Sequence, residues 1–290
     1  MRAAAILRPG LSASVIDPFR QKPADIFMGL PATSAQADAV LIFGGDGTLH
    51  RYLSELVNLK LPTLMVPLGG GNDFARALNL QRWRDSLKLW RQFSSNRSNV
   101  RMVDLGTITP VVIGCEKPKP QYFSSVAGIG LDAEVARRAN ELPSCLRGHG
   151  GYLLSLIPVL LSFSAFEMKI MSFEASGWKQ FSSKPTLLAA VANTPSYGGG
   201  IRIAPCARID DNQLDICVLG SVNRLRRLRL FPTVYSGKHL QAKEVGYFAA
   251  ERVRLETEKP SAVYADGEYV CETPVEIAVI RSALKVIVAS

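Results

Sequence analysis

The first hundred residues alternate between short runs of apolar side chains and stretches in which apolar residues recur every three or four positions. The runs Ala39 to Phe43 and Leu61 to Leu68 are each followed by glycines, and Leu49 to Leu59 between them has helical spacing. Continuous apolar runs of this length are typical of buried parallel strands. Phe74 to Leu80 and Arg82 to Phe93 again show helical spacing. The pattern therefore predicts an α/β layer built on a parallel sheet.

After about Asn99 the pattern changes to short β-prone runs separated by Gly, Pro, Asn and Asp. This alternation predicts a mostly antiparallel second domain. We place the first domain at 1–99 and the second at 100–281, with a last strand of about 282–290 returning to the first. The β-prone runs are Leu105 to Ile113, Tyr122 to Ala127, Phe166 to Phe173, Thr186 to Ala192, Gln213 to Leu219, Arg252 to Glu256 and Val275 to Ile280, and the helical stretches are Ala133 to Asn140, Tyr152 to Phe163 and Val222 to Tyr235.

Composition narrows the class of protein without naming an activity. Hydrophobic residues make up 47% of the 290 residues, which excludes a disordered chain, collagen or a coiled coil. A formal net charge of +9 favours polyanionic partners: nucleotides, nucleic acid or an anionic membrane surface. The 5 cysteines are scattered without a CxxC pair, so we expect no disulfide framework or zinc site and a reducing cytosol. Tyr152 to Phe163 is too short to span a bilayer.

The first candidate for chemistry is Phe43-Gly44-Gly45-Asp46-Gly47-Thr48. A strand that ends in glycines and leads into a helix presents several backbone N–H groups at one point, which suits phosphate. An aspartate in such a turn repels phosphate unless a cation or the phosphoryl acceptor lies between them. Asp46 therefore indicates Mg²⁺ bound with a nucleotide. A plain glycine-rich turn is the alternative.

The second candidate, Pro67 to Arg76 (PLGGGNDFAR), repeats this geometry at the end of the next predicted strand. The carboxyl ends of neighbouring parallel strands lie at one sheet edge, where α/β proteins bind ligands. Three consecutive glycines also cost backbone entropy that an ordinary turn has little reason to incur. A tight connection with Asn72 as a helix cap remains the alternative.

The third candidate is Tyr264 to Tyr269 (YADGEY). Asp-Gly is a strong hairpin signal, and we expect a hairpin turn here. The two carboxylates, Asp266 and Glu268, flank one glycine, so one of them can orient a hydroxyl while the other accepts its proton.

In this order, the three motifs resemble the diacylglycerol kinase catalytic family, which includes bacterial soluble diacylglycerol kinases, related lipid kinases, and sphingosine and ceramide kinases. The resemblance covers nearly the whole chain from about Ala32. It implies an α/β plus β fold, in which an N-terminal Rossmann-like nucleotide domain, similar to those of NAD kinase and phosphofructokinase, precedes a β-sandwich. Supporting matches are Val103 to Gly106, Gly128 to Ala133, Gly200 to Pro205 and Ile209 to Asp215.

The same resemblance implies the site residues. Glu268 matches the proton acceptor, Asp266 and Asp104 support it, and Asp46 completes the catalytic candidates. A Mg²⁺ site matches the Asp211 side chain with backbone oxygens of Arg208 and Gln213. The residues that would hold ATP are Gly44, Gly45, Asp46, Gly47, Thr48, Leu49, His50, Arg51, Gly69, Gly70, Gly71 and Asn72.

The chain departs from the family pattern at four places. Arg8-Pro9-Gly10 stands where the family opens with Asn-Pro-x-Ser-Gly, and His50-Arg51 stands where bacterial members often have Asn-Glu. Gly70 replaces a common Thr, and Asn212 replaces the Gly of an Asp-Gly pair. None of these changes removes an acidic catalytic candidate.

The resemblance implies an ATP- and Mg²⁺-dependent lipid kinase, most simply one that converts diacylglycerol to phosphatidic acid. One alternative is a kinase of a soluble substrate, because GGDGT also occurs in NAD kinases and phosphofructokinase-like enzymes. The DGE element and the long β-rich second half argue against that alternative. A second alternative is a nucleotide-binding regulatory protein without turnover.

The expected partner is a lipid substrate at an anionic membrane surface. Asn223 to Phe231 alternates Arg with Leu, a pattern that suits either such a surface or a solvated helix over a core. No DNA-binding motif is present, so we expect no nucleic-acid partner. A homodimer is left open. We expect a cytoplasmic protein that associates peripherally with the membrane.

Overall fold

A computed structural model describes residues 1–20, 24–112, 118–141 and 149–289. Ile113 at the end of one predicted run, Cys115 and Cys145 lie outside these residues. The described cysteines, Cys206, Cys217 and Cys271, are free thiols.

The first hundred residues fold as an α/β layer. Its strands pair in parallel in the spatial order β2-β1-β3-β4. Gly44 at the end of β3 pairs with Pro67 at the end of β4, so both strands stop at the same level and both glycine loops leave the same sheet edge. The elements are β1 (Arg2–Leu7), β2 (Asp25–Met28), β3 (Ala39–Gly44), α1 (Asp46–Leu59), β4 (Thr63–Pro67), α2 (Asp73–Ala77) and α3 (Trp83–Asn96).

The rest of the chain is mostly antiparallel sheet. The strands are β5 (Val100–Pro110), β6 (Gln121–Phe123), β7 (Val126–Gly130), β8 (Phe166–Glu174), β9 (Gly177–Ala192), β10 (Leu214–Gly220), β11 (Val245–Ala250), β12 (Arg252–Thr257), β13 (Ala262–Ala265), β14 (Glu268–Glu272) and β15 (Val275–Ile287). The helices are α4 (Leu131–Glu141), α5 (His149–Ser162) and α6 (Arg224–Val234).

The side chains of β9 show how this second part is layered. Successive residues of a strand point to opposite faces. Ala189 and Val191 join an apolar cluster with residues of β12, β13 and β15. Leu188 and Ala190 join a second cluster with Leu156 of α5 and side chains of α4 and α6. The sheet therefore contributes one face to a sandwich core, and helices cover its other face.

Two long strands connect the parts. β5 and β15 pair over nearly their whole length, and Val286 of β15 also pairs in parallel with Thr63 of β4. Leu284 and Val286 consequently pack in the core of the α/β layer, whereas Val275 packs in the sandwich core. The domain boundaries that we placed at 99 and 281 remain a prediction, since two strands run through both parts.

The predicted fold class, an α/β nucleotide-type domain followed by a β-sandwich, is confirmed. The predicted helices and β-prone runs are present with shifted ends. The patterns did not predict β1, β2 or β11. β1 contains three alanines, and its strand conformation follows from pairing with β2 on one side and β3 on the other.

Candidate active site

A cleft of about 630 Å³ lies at the carboxyl ends of β3 and β4, between the α/β layer and the sandwich. Both glycine loops and the Asp-Gly turn line it, as the sequence predicts for a single site. The lining also includes the end of β1 and a loop at Tyr197–Gly199. The predicted residues in the lining are Gly45, Asp46, Gly47, Thr48, Arg51, Gly69, Gly70, Gly71, Asp266 and Glu268.

The two glycine loops touch through their main chains. A Cβ built on Gly69 would lie 2.5 Å from the Cα of Gly45, so neither position has room for a side chain. Asn72 has φ 56°, and its side chain folds back to accept from the N–H of Gly69 at 3.0 Å and donate to the Gly69 carbonyl at 2.7 Å. α1 begins at Asp46, and Asp46, Gly47 and Thr48 line the cleft, so the N-terminus of the helix lies at the cleft, an arrangement that suits phosphate.

Asp46 ties the first loop to the second. Its Oδ2 accepts from the N–H of Asp73 and its Oδ1 from the N–H of Phe74, both at 3.0 Å. Burial, followed by the negative charge of Asp73, raises the pKa of Asp46 to about 6. A carboxylate that accepts hydrogen bonds from two backbone N–H groups holds the two loops together.

Asp73 connects the second loop to the sandwich side of the cleft. Its side chain is 3% exposed. Its carboxylate accepts from Ser196 Oγ at 3.0 Å and from the N–H of Gly199 at 2.8 Å, and it pairs with Arg76. Asp73 belongs to a predicted motif but had no predicted role. Ser196 and Gly199 lie 123 and 126 positions away in the chain, so no local pattern could have identified them as its partners.

The predicted hairpin between β13 and β14 is confirmed. Asp266 and Gly267 form its turn with φ 52° and φ 89°, the left-handed geometry of an Asp-Gly hairpin. Asn140 of α4 donates to the Gly267 carbonyl at 2.7 Å. Glu268 follows the turn and is exposed, and its Oε1 lies 3.6 Å from where a Cβ on Gly47 would be. The turn thus brings Glu268 against the first glycine loop.

Four predicted nucleotide ligands do not line the cleft. Leu49 is fully buried in the core of the α/β layer, and Gly44 lies beneath Thr48, whose side chain occupies the space of a Cβ there. Asn72 shapes the second loop, and His50 faces Asp266. Their contribution to the site is through packing and loop shape.

Asp104 also lies outside the cleft lining. It stands on β5, where the pairing with β15 is interrupted between Ile280 and Leu284. Its Oδ1 accepts from the N–H of Ser282 and its Oδ2 from the N–H of Asn212, each at 2.7 Å. A buried carboxylate with two backbone donors fixes main chain, so a direct catalytic contact does not fit this position.

The predicted metal ligands lie on a turn before β10. Asp211 is exposed, and its Oδ1 accepts from the N–H of Gln213 at 3.1 Å, while Arg208 pairs with Asp210. Within the described ranges, no three His, Cys, Asp or Glu side chains are placed to share a metal ion. One carboxylate with nearby main-chain oxygens is an oxygen-only donor set, which suits a weakly held Mg²⁺.

Several lining residues were not predicted. Leu7, Arg8 and Pro9 reach the cleft from β1, and Ser125 and Asp132 reach it from the sandwich side. Arg8 donates its backbone N–H to the Phe43 carbonyl, which holds the end of β1 beside the first glycine loop. The Arg8-Pro9 segment therefore forms part of the cleft wall where the chain departs from the family pattern.

Two family models match the chain: "diacylglycerol kinase catalytic domain" over residues 13–108 and "YegS C-terminal NAD kinase beta sandwich-like domain" over residues 125–288. The chain is 33% identical over 262 residues to a diacylglycerol kinase from Mycobacterium tuberculosis, covering 88% of this chain and 78% of that protein. It is 30% identical over 240 residues to a diacylglycerol kinase from Bacillus subtilis, covering 82% and 73%.

Solved structures share the fold. A diacylglycerol kinase from Bacillus anthracis superposes with a TM-score of 0.69 at 20% identity, covering 99% of this chain and 97% of that one. An NAD kinase from Archaeoglobus fulgidus in complex with ATP has a TM-score of 0.53 at 12% identity, covering 99% and 93%. With both family models matched in order and relatives of 30% and 33% identity over most of their length, the chain belongs to the diacylglycerol kinase and YegS-like family of lipid kinases.

Proposed function

We propose that the protein transfers the γ-phosphoryl group of ATP to a lipid hydroxyl, most simply that of diacylglycerol, to give phosphatidic acid. The observation that carries this proposal is the position of Glu268 beside Gly47. Its carboxylate accepts no hydrogen bond from any described residue, whereas Asp46, Asp73 and Asp266 each serve backbone N–H groups. Asp132 also lines the cleft but is buried, so Glu268 is the exposed cleft carboxylate available to take a proton.

The glycine loops support the nucleotide half of the proposal. The start of α1 and the glycines Gly70 and Gly71, which line the cleft, suit the phosphates of ATP. Phosphoryl transfer depends mainly on positioning and on stabilising charge. An acceptor hydroxyl between these loops and Glu268 would lose its proton to Glu268 as its oxygen attacks the γ-phosphorus and ADP leaves.

A divalent cation would be held by Asp211 and neighbouring main-chain oxygens, or would enter with the nucleotide. When bound with the nucleotide, Mg²⁺ supplies positive charge that offsets the phosphates. Asp46 is half-buried at the cleft and each of its carboxylate oxygens accepts a backbone hydrogen bond, so its part in the site is to hold the two loops in register.

A lipid acceptor requires the protein to reach a membrane surface. Among the described helices, none is long and apolar enough to cross a membrane. We propose peripheral docking through α5 and α6, which cover the same face of the sheet and therefore present their outer faces on one side. Exposed apolar side chains on this face are Ile157, Leu161, Leu225 and Leu228.

The charges on this face differ from those expected from the sequence. Arg226 pairs with Glu244 at 3.0 Å, and Arg227 is buried, where it donates to carbonyls at the end of α5. Arg224 and Arg229 are exposed beside the apolar side chains. These two arginines and the net charge of +9 complement an anionic bilayer.

The direct test incubates the full chain with radiolabelled ATP and vesicles that contain diacylglycerol, and identifies the product by mass. We expect labelled phosphatidic acid. Glu268→Gln keeps the size of the side chain but cannot accept a proton, so kcat should fall by about 10²–10⁴-fold while ATP affinity and Tm stay close to wild type. ATP binding without ADP release on any lipid would support the regulatory alternative, and wild-type kcat for Glu268→Gln would exclude Glu268 as the base.

A further inference from the structure

His50 is a residue of α1, the helix that follows the first glycine loop, and its side chain contacts the turn that precedes Glu268. Its Nδ1 is 3.1 Å from Oδ2 of Asp266, a residue 216 positions away in the chain. The His50 side chain is 15% exposed and that of Asp266 is 0% exposed. This contact therefore links α1, which belongs to the α/β layer, to the hairpin of the sandwich across the back of the cleft.

Asp266 has the contacts of a residue that fixes the turn. Besides His50, its carboxylate accepts from the N–H and Oγ of Ser124 at 2.8 and 3.1 Å and from the N–H of Ser125 at 2.8 Å. Among the described residues, His50 is the one basic side chain within 4.0 Å of this buried carboxylate. Burial of a carboxylate without a charged partner is costly, so His50 has an electrostatic reason to lie there.

We propose that His50 is a positioning residue for phosphoryl transfer: paired with Asp266 as an imidazolium, it holds the Asp266-Gly267 turn and so sets the distance between Glu268 and the first glycine loop. The proposal rests on the proposed function, since it assumes that Glu268 is the base. It replaces the expectation that His50 contacts ATP. The sequence signal was its departure from the Asn of bacterial family members.

The charges around His50 favour its cationic form. Burial lowers the pKa of His50, but the hydrogen bond to Asp266, the charge of Asp266 and the charge of Glu268 together raise it above its ordinary value. On α1 itself, Asp46 adds negative charge that interacts with Asp266, and Arg51 adds positive charge at the cleft. A raised pKa means that the ion pair persists to a higher pH than the ordinary histidine pKa would allow and is lost as pH rises through the raised value.

The test compares steady-state kinetics of wild type, His50→Ala and His50→Gln on diacylglycerol vesicles between pH 6 and pH 9. Small displacements of a catalytic group can cost about 10²-fold in rate, so we expect His50→Ala to lower kcat by up to about that factor. The KM for ATP should change by less than about 3-fold, because His50 does not line the cleft. His50→Gln keeps an N–H donor and should recover part of kcat, without the alkaline decline that we expect of the wild type.

His239→Gln is the matched control, because His239 is also a buried histidine but bonds the Ile203 carbonyl away from the cleft. It should lower Tm without changing the pH profile of kcat. His50→Ala should add little to the loss already caused by Glu268→Gln, since both changes act on the same proton transfer. Additive losses, an unchanged kcat, or a KM for ATP that rises as kcat falls would each overturn the positioning role. Absence of lipid phosphorylation by the wild type would overturn the proposed function as well. In that case histidine NMR of wild type and Asp266→Asn would still report whether His50 and Asp266 form an ion pair.

Discussion

Gly69→Ala tests whether the two glycine loops are in main-chain contact. The new Cβ would lie 2.5 Å from the Cα of Gly45, 3.0 Å from its nitrogen and 2.9 Å from Oδ1 of Asn72. Carbon atoms in favourable contact are about 3.5–4.0 Å apart, so the loops would have to separate by about 1 Å. Overpacking of this kind costs about 1–3 kcal/mol. At about 2–4 °C per kcal/mol, Tm should fall by about 2–12 °C.

Gly47→Ala is the matched control from the same loop. Its Cβ would meet only Oε1 of Glu268, at an ordinary contact distance of 3.6 Å, and Gly47 lies within α1 at a helical conformation. Ala is favoured over Gly in a helix by up to about 1 kcal/mol, so Tm should stay level or rise. Calorimetric unfolding compares the Tm of the two variants, and titration with a non-hydrolysable ATP analogue reports whether the glycine loops still bind the nucleotide. Gly69→Ala should bind the analogue more weakly because its phosphate-binding amides have moved.

Main-chain contact between the two loops is refuted if Gly69→Ala unfolds within about 1 °C of wild type and binds the analogue with wild-type affinity, since an overpacked contact costs at least about 1 kcal/mol. Equal losses of Tm in Gly69→Ala and Gly47→Ala would also refute it, because only one of these positions lacks room for a Cβ.

Two further predictions concern the membrane face and Asp46. Co-sedimentation with phosphatidylglycerol vesicles should fall by at least about 10-fold when Leu225 and Leu228 are both changed to Ser, because each buried Leu contributes about 1.5–3 kcal/mol. The control variants Arg226→Gln and Trp178→Ser should leave co-sedimentation unchanged. Equal effects of all three variants would contradict membrane docking through α6. Because Asp46 has a raised pKa of about 6, its favourable contribution to stability is present below its ordinary pKa and is lost as pH rises through 6. Urea unfolding should therefore show that the wild type is less stable at pH 8 than at pH 4.5, and that this loss is smaller in Asp46→Asn. An identical loss in both proteins would contradict the raised pKa of Asp46.

The sequence predicted the elements whose conformation depends on neighbouring residues in the chain. β3 and β4 are apolar runs. β3 ends at Gly44 and β4 ends at Pro67, two residues before Gly69, so each strand leads into its glycine loop. The hairpin at Asp266-Gly267 follows from the backbone preference of one dipeptide. β1 could not be predicted in this way, because alanines favour strand only weakly and pairing on both sides decides its conformation.

The roles of the carboxylates were harder to predict than their presence. Asp104 is in a motif, but its role follows from the amides of Asn212 and Ser282, which are 108 and 178 positions away. Asp46 was expected beside a cation, which stays a prediction, and the expectation did not include its two backbone donors, Asp73 and Phe74. Residue spacing along the chain carries no information about such long-range partners, which the pairing of strands determines.

The acidic residues of the cleft differ in whether their carboxylates accept hydrogen bonds from backbone N–H groups, and we assign their roles from this difference. An acid whose oxygens accept from backbone amides is held in one orientation and fixes the loops that it bridges; Asp46, Asp73 and Asp266 do so for the two glycine loops and the hairpin. A base must instead be free to gain and lose a proton, and Glu268 is the exposed carboxylate that these fixed loops surround. The same Asp-Gly turn that buries the Asp266 side chain exposes Glu268 two residues later, so one hairpin supplies both an anchor and the proposed proton acceptor. Under the proposed function this arrangement gives the DGE motif a use for two acids, since one carboxylate cannot be both immobilised by amides and available to a hydroxyl.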